Sequence, residues 1–499
     1  MRKLNVLRIM CLTLLLASTV RAQTAPGVNN AELKGDYAFS FDGMTTGGGS
    51  AFTVFAAVGR FTADGAGNFT NGEIDVNGAN PTDRLAAQSF TGTYSIGADH
   101  RGIMSLNIPG GGTLAFAMLA NGNAKFVEVD AGGGHGSVGS GSIEKADTTA
   151  FSTAKITGEY AFGIAGLDAF NTRTAVAGRL TANGMGTFTN GVADANQAGH
   201  YTSGVTIAAG SYYVSETTTG RGVMTLPGVL GVPPQNLNFA FYVVNAGKMF
   251  AMEIDAVTAM TPLLNGAMLQ QQFPVGGFAT GAMNGNTVVY LTGRTICAGA
   301  TTPGSDVIAG LLSTNGVGIA TLTYDQNCEG TSASASLTGT YDVTGSGRAA
   351  FRVGGAYIVA YLVSSNQGFF IVPDGPAWSG FGEAQAAGSF SNSTVMGRYA
   401  GSTTTPATLG VTIFSGEFTA DGAIPTGNIT GVEDIGAPSG PTLGAAVNAA
   451  YSISASPTNG RGTVSGSIGG NAIVYVVSPS KFVVLSLSDP NPAVLIFER

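Results

Sequence analysis

The sequence repeats one unit of about 120 residues four times, and this repeat limits what the chain can fold into more than any other feature. Each copy opens with a glycine, one variable residue and then an aromatic residue, and successive openings lie 123, 118 and 121 residues apart. The four openings are Gly35-Asp36-Tyr37, Gly158-Glu159-Tyr160, Gly276-Gly277-Phe278 and Gly397-Arg398-Tyr399. A unit of this size can bury its own hydrophobic core, so we expect four tandem modules and not a solenoid.

Three further motifs return in every copy. An Asp-Gly or Asn-Gly turn at 64–65, 183–184, 315–316 and 421–422 supplies the positive φ angles that tight β-hairpins require. Next come a tyrosine strand around Tyr94, Tyr212, Tyr341 and Tyr451, and an arginine in a glycine-rich turn at Arg101, Arg221, Arg348 and Arg461. The arginines could bind anionic groups, or they could stack on neighbouring tyrosines and pair with Asp64 and Asp421. The structural interpretation is favoured, although Asn183 and Asn315 show that the ion pair is not obligatory.

Hydrophobic periodicity and composition predict an all-β fold. Apolar and polar residues alternate between Phe90 and Ile96, and the same period of two returns at 237–243, 357–363 and 473–477. With 76 glycines in 499 residues and only 10% charged residues, a helix bundle is excluded. The first copy divides into about eight strands joined by short turns, which favours an up-and-down antiparallel β-barrel; a two-sheet β-sandwich is the alternative.

The predicted domain boundaries follow from the repeat. A signal peptide occupies 1–22, and the four β-modules occupy 23–147, 148–271, 272–387 and 388–499. Phe151 and Phe390 lie at matching places in the joints before the second and fourth modules. We expect these two phenylalanines to wedge adjacent barrels together.

The N-terminus has the layout of a secretory signal peptide. A basic start with Arg2, Lys3 and Arg8 precedes an apolar run, and Val20-Arg21-Ala22 offers small residues for cleavage after Ala22. We therefore expect a secreted, periplasmic or cell-surface protein without a transmembrane helix in the mature chain. Removing the four basic residues of the signal leaves 18 basic and 30 acidic residues, a net charge of −12, which argues against nucleic acid as a partner.

Two cysteines remain after the signal peptide. Cys297 and Cys328 are expected to form a disulfide, because an exported protein reaches an oxidising compartment. The alternative is a pair of unrelated buried thiols.

The search for catalytic chemistry and for cofactors is negative. The three histidines have no partner at metal-ligand spacing, and no nucleophile–base motif is present, so no catalytic or cofactor-binding residue is assigned and an enzyme is not expected. Carboxylates near one pole of the first two modules are candidate Ca²⁺ ligands, because calcium prefers oxygen. They are Asp75, Glu128 and Asp130, with the counterparts Asp194, Glu253 and Asp255. The favoured interpretation is that these carboxylates form turns or lie at solvated strand ends and bind no metal.

The stretch from Gly59 to Asn77, which reads GRFTADGAGNFTNGEIDVN, resembles secreted tandem β-repeat proteins of soil bacteria. The resemblance extends over all four copies and weakens in the third and fourth. It implies secretion and β-repeats, and it implies no particular chemistry. The Gly-x-aromatic opening is also similar to that of lipocalin-type barrels, with tyrosine or phenylalanine in place of tryptophan.

Three functions are compatible with these features. We expect a non-catalytic secreted or cell-surface protein that uses its tandem modules for adhesion or extracellular binding of a protein, glycan or surface ligand, since linked copies gain avidity. The alternative is binding of a small apolar ligand inside each barrel, in cavities lined by residues such as Phe116, Phe239 and Phe241. An outer-membrane β-barrel is less favoured, because most strands look short or are interrupted by glycine.

Overall fold

The structure is a computed structural model of the chain. It describes residues 27–45, 52–109, 111–130, 137–197, 199–230, 235–373, 375–404, 412–437, 439–454 and 457–499. The predicted signal peptide and its cleavage point lie outside these residues.

The described residues form four closed antiparallel barrels, each of eight strands in sequence order. Barrel 1 comprises β1 Lys34–Thr45, β2 Thr53–Asp64, β3 Asn68–Gly78, β4 Leu85–Ile96, β5 Arg101–Asn107, β6 Thr113–Met118, β7 Ala124–Glu128 and β8 Val138–Lys145. It closes because β8 pairs with β1, with Tyr37 opposite Lys145. The prediction of four tandem up-and-down barrels is confirmed, and the sandwich alternative is wrong.

The other three barrels repeat this arrangement. Barrel 2 comprises β9 Thr157–Leu167, β10 Arg173–Asn183, β11 Thr187–Gln197, β12 His200–Ile207, β13 Gly210–Glu216, β14 Arg221–Leu230, β15 Gln235–Asn245, β16 Lys248–Glu253 and β17 Leu263–Gln270. Here β12 and β13 are two halves of an interrupted fourth strand, since both pair with β11. Barrel 3 comprises β18 Asn284–Thr295, β19 Gly304–Asn315, β20 Ile319–Cys328, β21 Thr331–Val343, β22 Arg348–Val353, β23 Ala356–Ser364, β24 Gln367–Ile371 and β25 Ser379–Ala384. Barrel 4 comprises β26 Gly397–Thr403, β27 Ile413–Ala420, β28 Gly427–Gly436, β29 Thr442–Ile453, β30 Arg461–Gly466, β31 Gly470–Ser478, β32 Lys481–Ser486 and β33 Val494–Glu498.

Glycines inside the strands make room for aromatic rings in these narrow barrels. A Cβ atom at Gly102 would overlap the ring of Phe116, and one at Gly92 would overlap the ring of Phe69. Both rings are buried in the core of barrel 1. An eight-stranded barrel has an interior just wide enough to be filled by side chains, so large residues must face small ones.

One end of each barrel, the plug end, is closed by a short 3-10 segment that precedes the first strand. These segments are Asn30–Glu32, Thr148–Ala150 with Thr153–Lys155, Thr280–Ala282 and Asn392–Val395; a further 3-10 turn, Pro81–Asp83, precedes β4. The recurrent tyrosine of each copy is buried and donates its hydroxyl to a carbonyl of this segment; in barrel 1, Tyr94 donates to Leu33 over 2.7 Å. The opposite end, where β1–β2, β3–β4, β5–β6 and β7–β8 connect, is the mouth end.

The joint phenylalanines close single barrels and do not, as predicted, wedge adjacent barrels together. Phe151, Phe278 and Phe390 each belong to the core of the barrel that follows. Each ring packs against the glycine before the recurrent arginine, as Phe278 does on Gly347. The predicted opening of the third copy at Gly276 is wrong. Gly35 pairs with Ala63, the residue before the Asp64 turn, and Gly285 pairs with Thr314, the residue before the Asn315 turn. Gly285 is therefore the counterpart of Gly35.

The four barrels form a closed ring. At each interface the first two strands of one barrel pack on the sixth and seventh strands of the next: β1–β2 on β15–β16, β9–β10 on β23–β24, β18–β19 on β31–β32, and β26–β27 on β6–β7. A separate hydrophobic cluster is buried at every interface. When the same head-to-tail interface repeats and the rotations add up to a full turn, the units form a ring. Here the fourth barrel packs on the first.

All barrels of the ring point in the same direction. At the mouth end, Asn77 of β3 donates to the carbonyls of Glu253 and Asp255 at the end of β16, each over 2.9 Å. At the plug end, Lys248 at the start of β16 pairs with Glu144 at the end of β8 over 2.6 Å. Because like ends meet, the four mouths share one face of the ring and the four plugs share the other.

The predicted disulfide is confirmed. Cys297 follows β18, Cys328 ends β20, and the two are bonded with their Cα atoms 5.6 Å apart. The bond therefore lies at the mouth end of barrel 3.

Candidate functional site

The mouth end of barrel 1 contains an apolar cavity of about 230 Å³. Its walls are mostly aromatic and aliphatic side chains from β1–β7: Phe39, Phe41, Phe55, Phe126, Leu106 and Leu114. The exposed residues Pro109 and Gly111 also line it, so the cavity reaches the surface between β5 and β6. It is a pocket that a small molecule can enter.

Small side chains in barrel 1 leave this space open. Ala57 on the second strand lines the cavity. The same position of the second strand holds the larger residues Val176 in barrel 2 and Ile308 in barrel 3. Barrel 2 also carries Phe239 where barrel 1 carries Leu114. The predicted ligand-binding phenylalanines of barrel 2, Phe239 and Phe241, are part of its packed core, and Phe116 does not line the cavity of barrel 1.

Glu128 places a carboxyl group inside this apolar cavity. It ends β7, where the alternation that points Ala124 and Phe126 inward also points Glu128 inward. Ser137 donates to its Oε1 over 2.8 Å, and the carboxylate of Asp130 lies within hydrogen-bonding reach of the same carboxyl group. Burial raises the pKa of Glu128 to about 8, and the nearby carboxylate of Asp130 adds to the shift. The group is therefore mainly neutral at pH 7 and can donate a hydrogen bond, either to Asp130 or to a molecule in the cavity.

The corresponding positions in the other barrels differ. Glu253 is buried at the mouth of barrel 2, where burial and the neighbouring Asp255 raise its pKa to about 9. Its Oε1 accepts from the backbone N–H of Asp255 over 2.9 Å. Barrels 3 and 4 carry Val372 and Ser486 at this position, so the interior carboxyl belongs to the first two barrels only.

The candidate calcium ligands do not lie together on one rim. Glu128 and Asp130 line the cavity of barrel 1, and Asp255 binds the backbone and side-chain amide of Asn238. Asp75 and Asp194 face outward from their barrels and bind arginines of the next barrel. The described residues contain no group of three or more His, Cys, Asp or Glu that could hold a metal ion.

The recurrent arginines and the outward aspartates form an ion pair across every interface, which we call the clasp. The pairs are Asp75–Arg221, Asp194–Arg348, Asp325–Arg461 and Asp434–Arg101. In the first three, both carboxylate oxygens accept from Nε and Nη2 of the arginine over 2.7–2.9 Å. The predicted pairing of these arginines with Asp64 and Asp421 is wrong, because those aspartates accept from backbone amides within their own hairpin turns.

A buried tyrosine completes each of these three clasps. Tyr242, Tyr361 and Tyr475 donate their hydroxyls to the same aspartates over 2.8, 2.6 and 2.5 Å. Hydrogen bonding to the aspartate raises the pKa of the three arginines. Burial is the largest influence on the pKa of Asp194 and Asp325 and would raise it. The hydrogen bonds to each aspartate from its arginine, its clasp tyrosine and one further hydroxyl, together with the arginine's charge, outweigh burial and lower both values.

The clasp that closes the ring is different. Ala117 occupies the tyrosine position opposite Arg101, and Arg101 divides its donors between Asp434, over 2.7 Å, and Asp99, over 2.9 Å. Burial therefore prevails at Asp434 and raises its pKa. Gly436 replaces the interface asparagine seen at Asn77, and a side chain there would press on the carbonyl of Glu128.

No protein-family model and no curated protein matches the sequence. The candidate site therefore depends on its own geometry. In the part of the chain that the structure describes, no helix is long and apolar enough to cross a membrane.

The sequence places Glu128 and Asp130 together at one strand end, where the favoured interpretation is solvated strand-end residues and the alternative is a pair of metal ligands. The signal for their place in the barrel was present, because β7 alternates and Glu128 falls on the same face as Phe126. A carboxylate that continues an inward apolar face is a buried carboxyl group and not a solvated strand end.

Proposed function

We propose that this protein is a secreted, non-catalytic binding protein whose first barrel takes up a small, largely apolar molecule. The observation that supports this proposal is the largely apolar cavity of about 230 Å³ with one buried acidic residue, Glu128, in its wall, where the partly exposed Asp83 and Asp130 also lie. Pockets of this kind combine apolar walls with a few polar groups that orient the ligand.

The size and polarity of the cavity indicate the ligand class. An apolar cavity of roughly 150 Å³ holds benzene, so a cavity of about 230 Å³ has room for a substituted ring or a short branched chain. Since the carboxyl group of Glu128 lines the cavity and is mainly neutral at pH 7, it can donate to a ligand with one hydrogen-bond acceptor. We therefore propose an uncharged molecule with a carbonyl or ether oxygen.

The test is a calorimetric titration of the full chain with acetophenone and with toluene at pH 7. We expect saturable binding of both at one site, with acetophenone bound about tenfold more tightly, which corresponds to one hydrogen bond of roughly 1.4 kcal/mol. Recovery of both ligands unchanged would support the non-catalytic part of the proposal.

Two variants locate the binding site. Ala57→Leu fills the cavity and should abolish binding of both ligands, whereas Ala446→Leu, on an exposed strand position of barrel 4, should leave it unchanged. Glu128→Leu should remove the preference for acetophenone. Binding that survives Ala57→Leu would contradict the proposal.

A second candidate function is adhesion through the plug face, and exposed apolar residues at the hairpin tips favour it. Met185, Val317 and Ile424 follow the Asn-Gly or Asp-Gly turns of barrels 2, 3 and 4 and are 82%, 79% and 72% exposed. Because the barrels point the same way, these tips lie on one face, as tandem binding would require. Replacing all three by serine should reduce retention on an apolar resin if this face is adhesive, and unchanged retention would reject it.

A further inference from the structure

The four barrels enclose a second cavity, on the axis of the ring, with a volume of about 360 Å³. We call it the axial cavity. Every barrel contributes to it, chiefly through its first and last strands, with hydroxyl-bearing residues such as Ser40, Ser140, Thr292, Ser379, Ser402 and Thr403. These hydroxyl groups lie beside apolar side chains such as Phe250 and Phe369.

Arg173 extends into the axial cavity from the start of β10. The residue is only 4% exposed, and its Nη2 donates to the Thr292 hydroxyl over 3.2 Å and to the Ser379 hydroxyl over 3.1 Å, both in barrel 3. Its Nε and Nη1 have no hydrogen-bond partner among the described residues. A buried guanidinium group therefore faces the cavity with unused donors.

The fold does not require an arginine at this position. The corresponding residue of barrel 1 is Val54, opposite Met44, and that of barrel 3 is Ser305, opposite Arg294. Val54 simply packs in the interface between barrels 1 and 2. A buried charge without a full set of partners is costly, so an arginine placed where valine suffices points to a ligand.

Three other charged groups lie near Arg173. Burial lowers the pKa of Arg173 to about 10, Asp42 on the cavity wall opposes this shift, and Arg294 adds to it. Lys125, also on the wall, pairs with Glu498 over 3.5 Å. Among the described residues that line the cavity, Arg173 is thus the cation with unused donors.

We propose that the axial cavity binds a small oxyanion through Arg173, with hydroxyl groups from the surrounding barrels completing its coordination. The hydroxyl of Thr404 in barrel 4, which also lines the cavity and has no partner among the described residues, is a further donor. Carboxylate, sulfate and phosphate share the required chemistry: negative charge on oxygen atoms that accept from a guanidinium group.

The test is a calorimetric titration of the full chain with sodium acetate, sulfate and phosphate at constant ionic strength, with chloride as the reference. At least one oxyanion should bind saturably at one site per chain, and the anion that binds identifies the class. Arg173→Val, which copies barrel 1, should weaken binding at least tenfold, and Arg173→Lys should weaken it less. Arg352→Gln, at an exposed arginine of β22, should bind as the wild type does.

Absence of saturable binding by all three anions, or equal binding by the wild type and Arg173→Val, would overturn the proposal. Sulfate stabilises many proteins without binding at a site. A response to sulfate that is equal in the wild type, Arg173→Val and Arg173→Lys therefore also counts against the proposal. If Arg173→Val fails to fold, a crystal of the wild type soaked in selenate decides the question. An anomalous peak beside Arg173 supports the site, and its absence rejects it.

Discussion

Glu128 shows how a single buried carboxyl group links stability to pH in this protein. Burial raises its pKa from an ordinary value of 4.5 to about 8. Between these two pH values the folded chain holds a proton that the unfolded chain releases. The contribution of Glu128 to stability is therefore fully present below about pH 4.5 and is lost as the pH rises through 8.

Replacing Glu128 by Gln removes this proton and should change the pH profile accordingly. We expect the free energy of unfolding of the wild type, relative to Glu128→Gln, to fall by up to about 1.4 kcal/mol for each pH unit between pH 5 and 8. Urea unfolding of both proteins at several pH values measures this difference. A difference that does not vary with pH would show that Glu128 titrates normally and is not buried as described.

At the residue scale the sequence reveals which side chains matter better than it reveals their partners. The recurrent arginines and the Asx turns can be identified from the repeat, and Gly65 adopts the predicted positive φ of 78°. The partner of Arg221, however, is Asp75 in another copy, which no local pattern indicates. The available signal is that both charges recur in all four copies of a chain that has few charges.

At the scale of strands, the clasps hold the third strand of one barrel to the fifth and sixth strands of the next. Asp194 on β11 is fully buried between Arg348 on β22 and Tyr361 on β23. Asp434 on β28, at the closing interface, has no clasp tyrosine, because Ala117 stands at that position. Its arginine, Arg101, donates to it through Nη1 and to Asp99 through Nε. We therefore expect the closing clasp to contribute less to stability than the other three.

Removing one carboxylate from each kind of clasp should expose this inequality. Asp194→Asn leaves Arg348 without a charged partner in a largely buried site and should cost roughly 3 kcal/mol. Asp434→Asn should cost about 1 kcal/mol or less, because Arg101 retains Asp99. Urea midpoints of the two variants and the wild type provide the comparison. An equal loss in both variants would contradict the difference that we infer between the clasps.

Strand positions and closure were predictable because each copy repeats alternation and turn signals, and eight short strands need a closed barrel to hide their edges. The third copy was misaligned because its first strand, β18, carries Thr287 where the others carry tyrosine. Many glycines also have a role that the turn motifs do not indicate. Gly92 and Gly102 lie within strands and accommodate aromatic rings, so glycine serves packing as well as turns.

At the scale of the whole molecule, the ring brings the first and last barrels together and creates the axial cavity. Six charged residues from all four barrels gather at the plug end of the axis: Glu144, Lys248, Glu383, Lys481, Glu498 and Lys125. Burial would lower the pKa of Lys481, but Glu383 and Glu498 outweigh burial and raise it. Neither the ring nor this cluster follows from one copy of the repeat, since both depend on how the copies meet.

Zero-length carbodiimide cross-linking of the native chain, followed by mass spectrometry, tests the closed ring most directly. Lys125 in barrel 1 and Glu498 in barrel 4 lie 3.5 Å apart, and Lys248 and Glu144 of adjacent barrels lie 2.6 Å apart. A closed ring predicts both amide cross-links within single chains. A Lys248–Glu144 link without a Lys125–Glu498 link would show an open string of barrels and would contradict the ring.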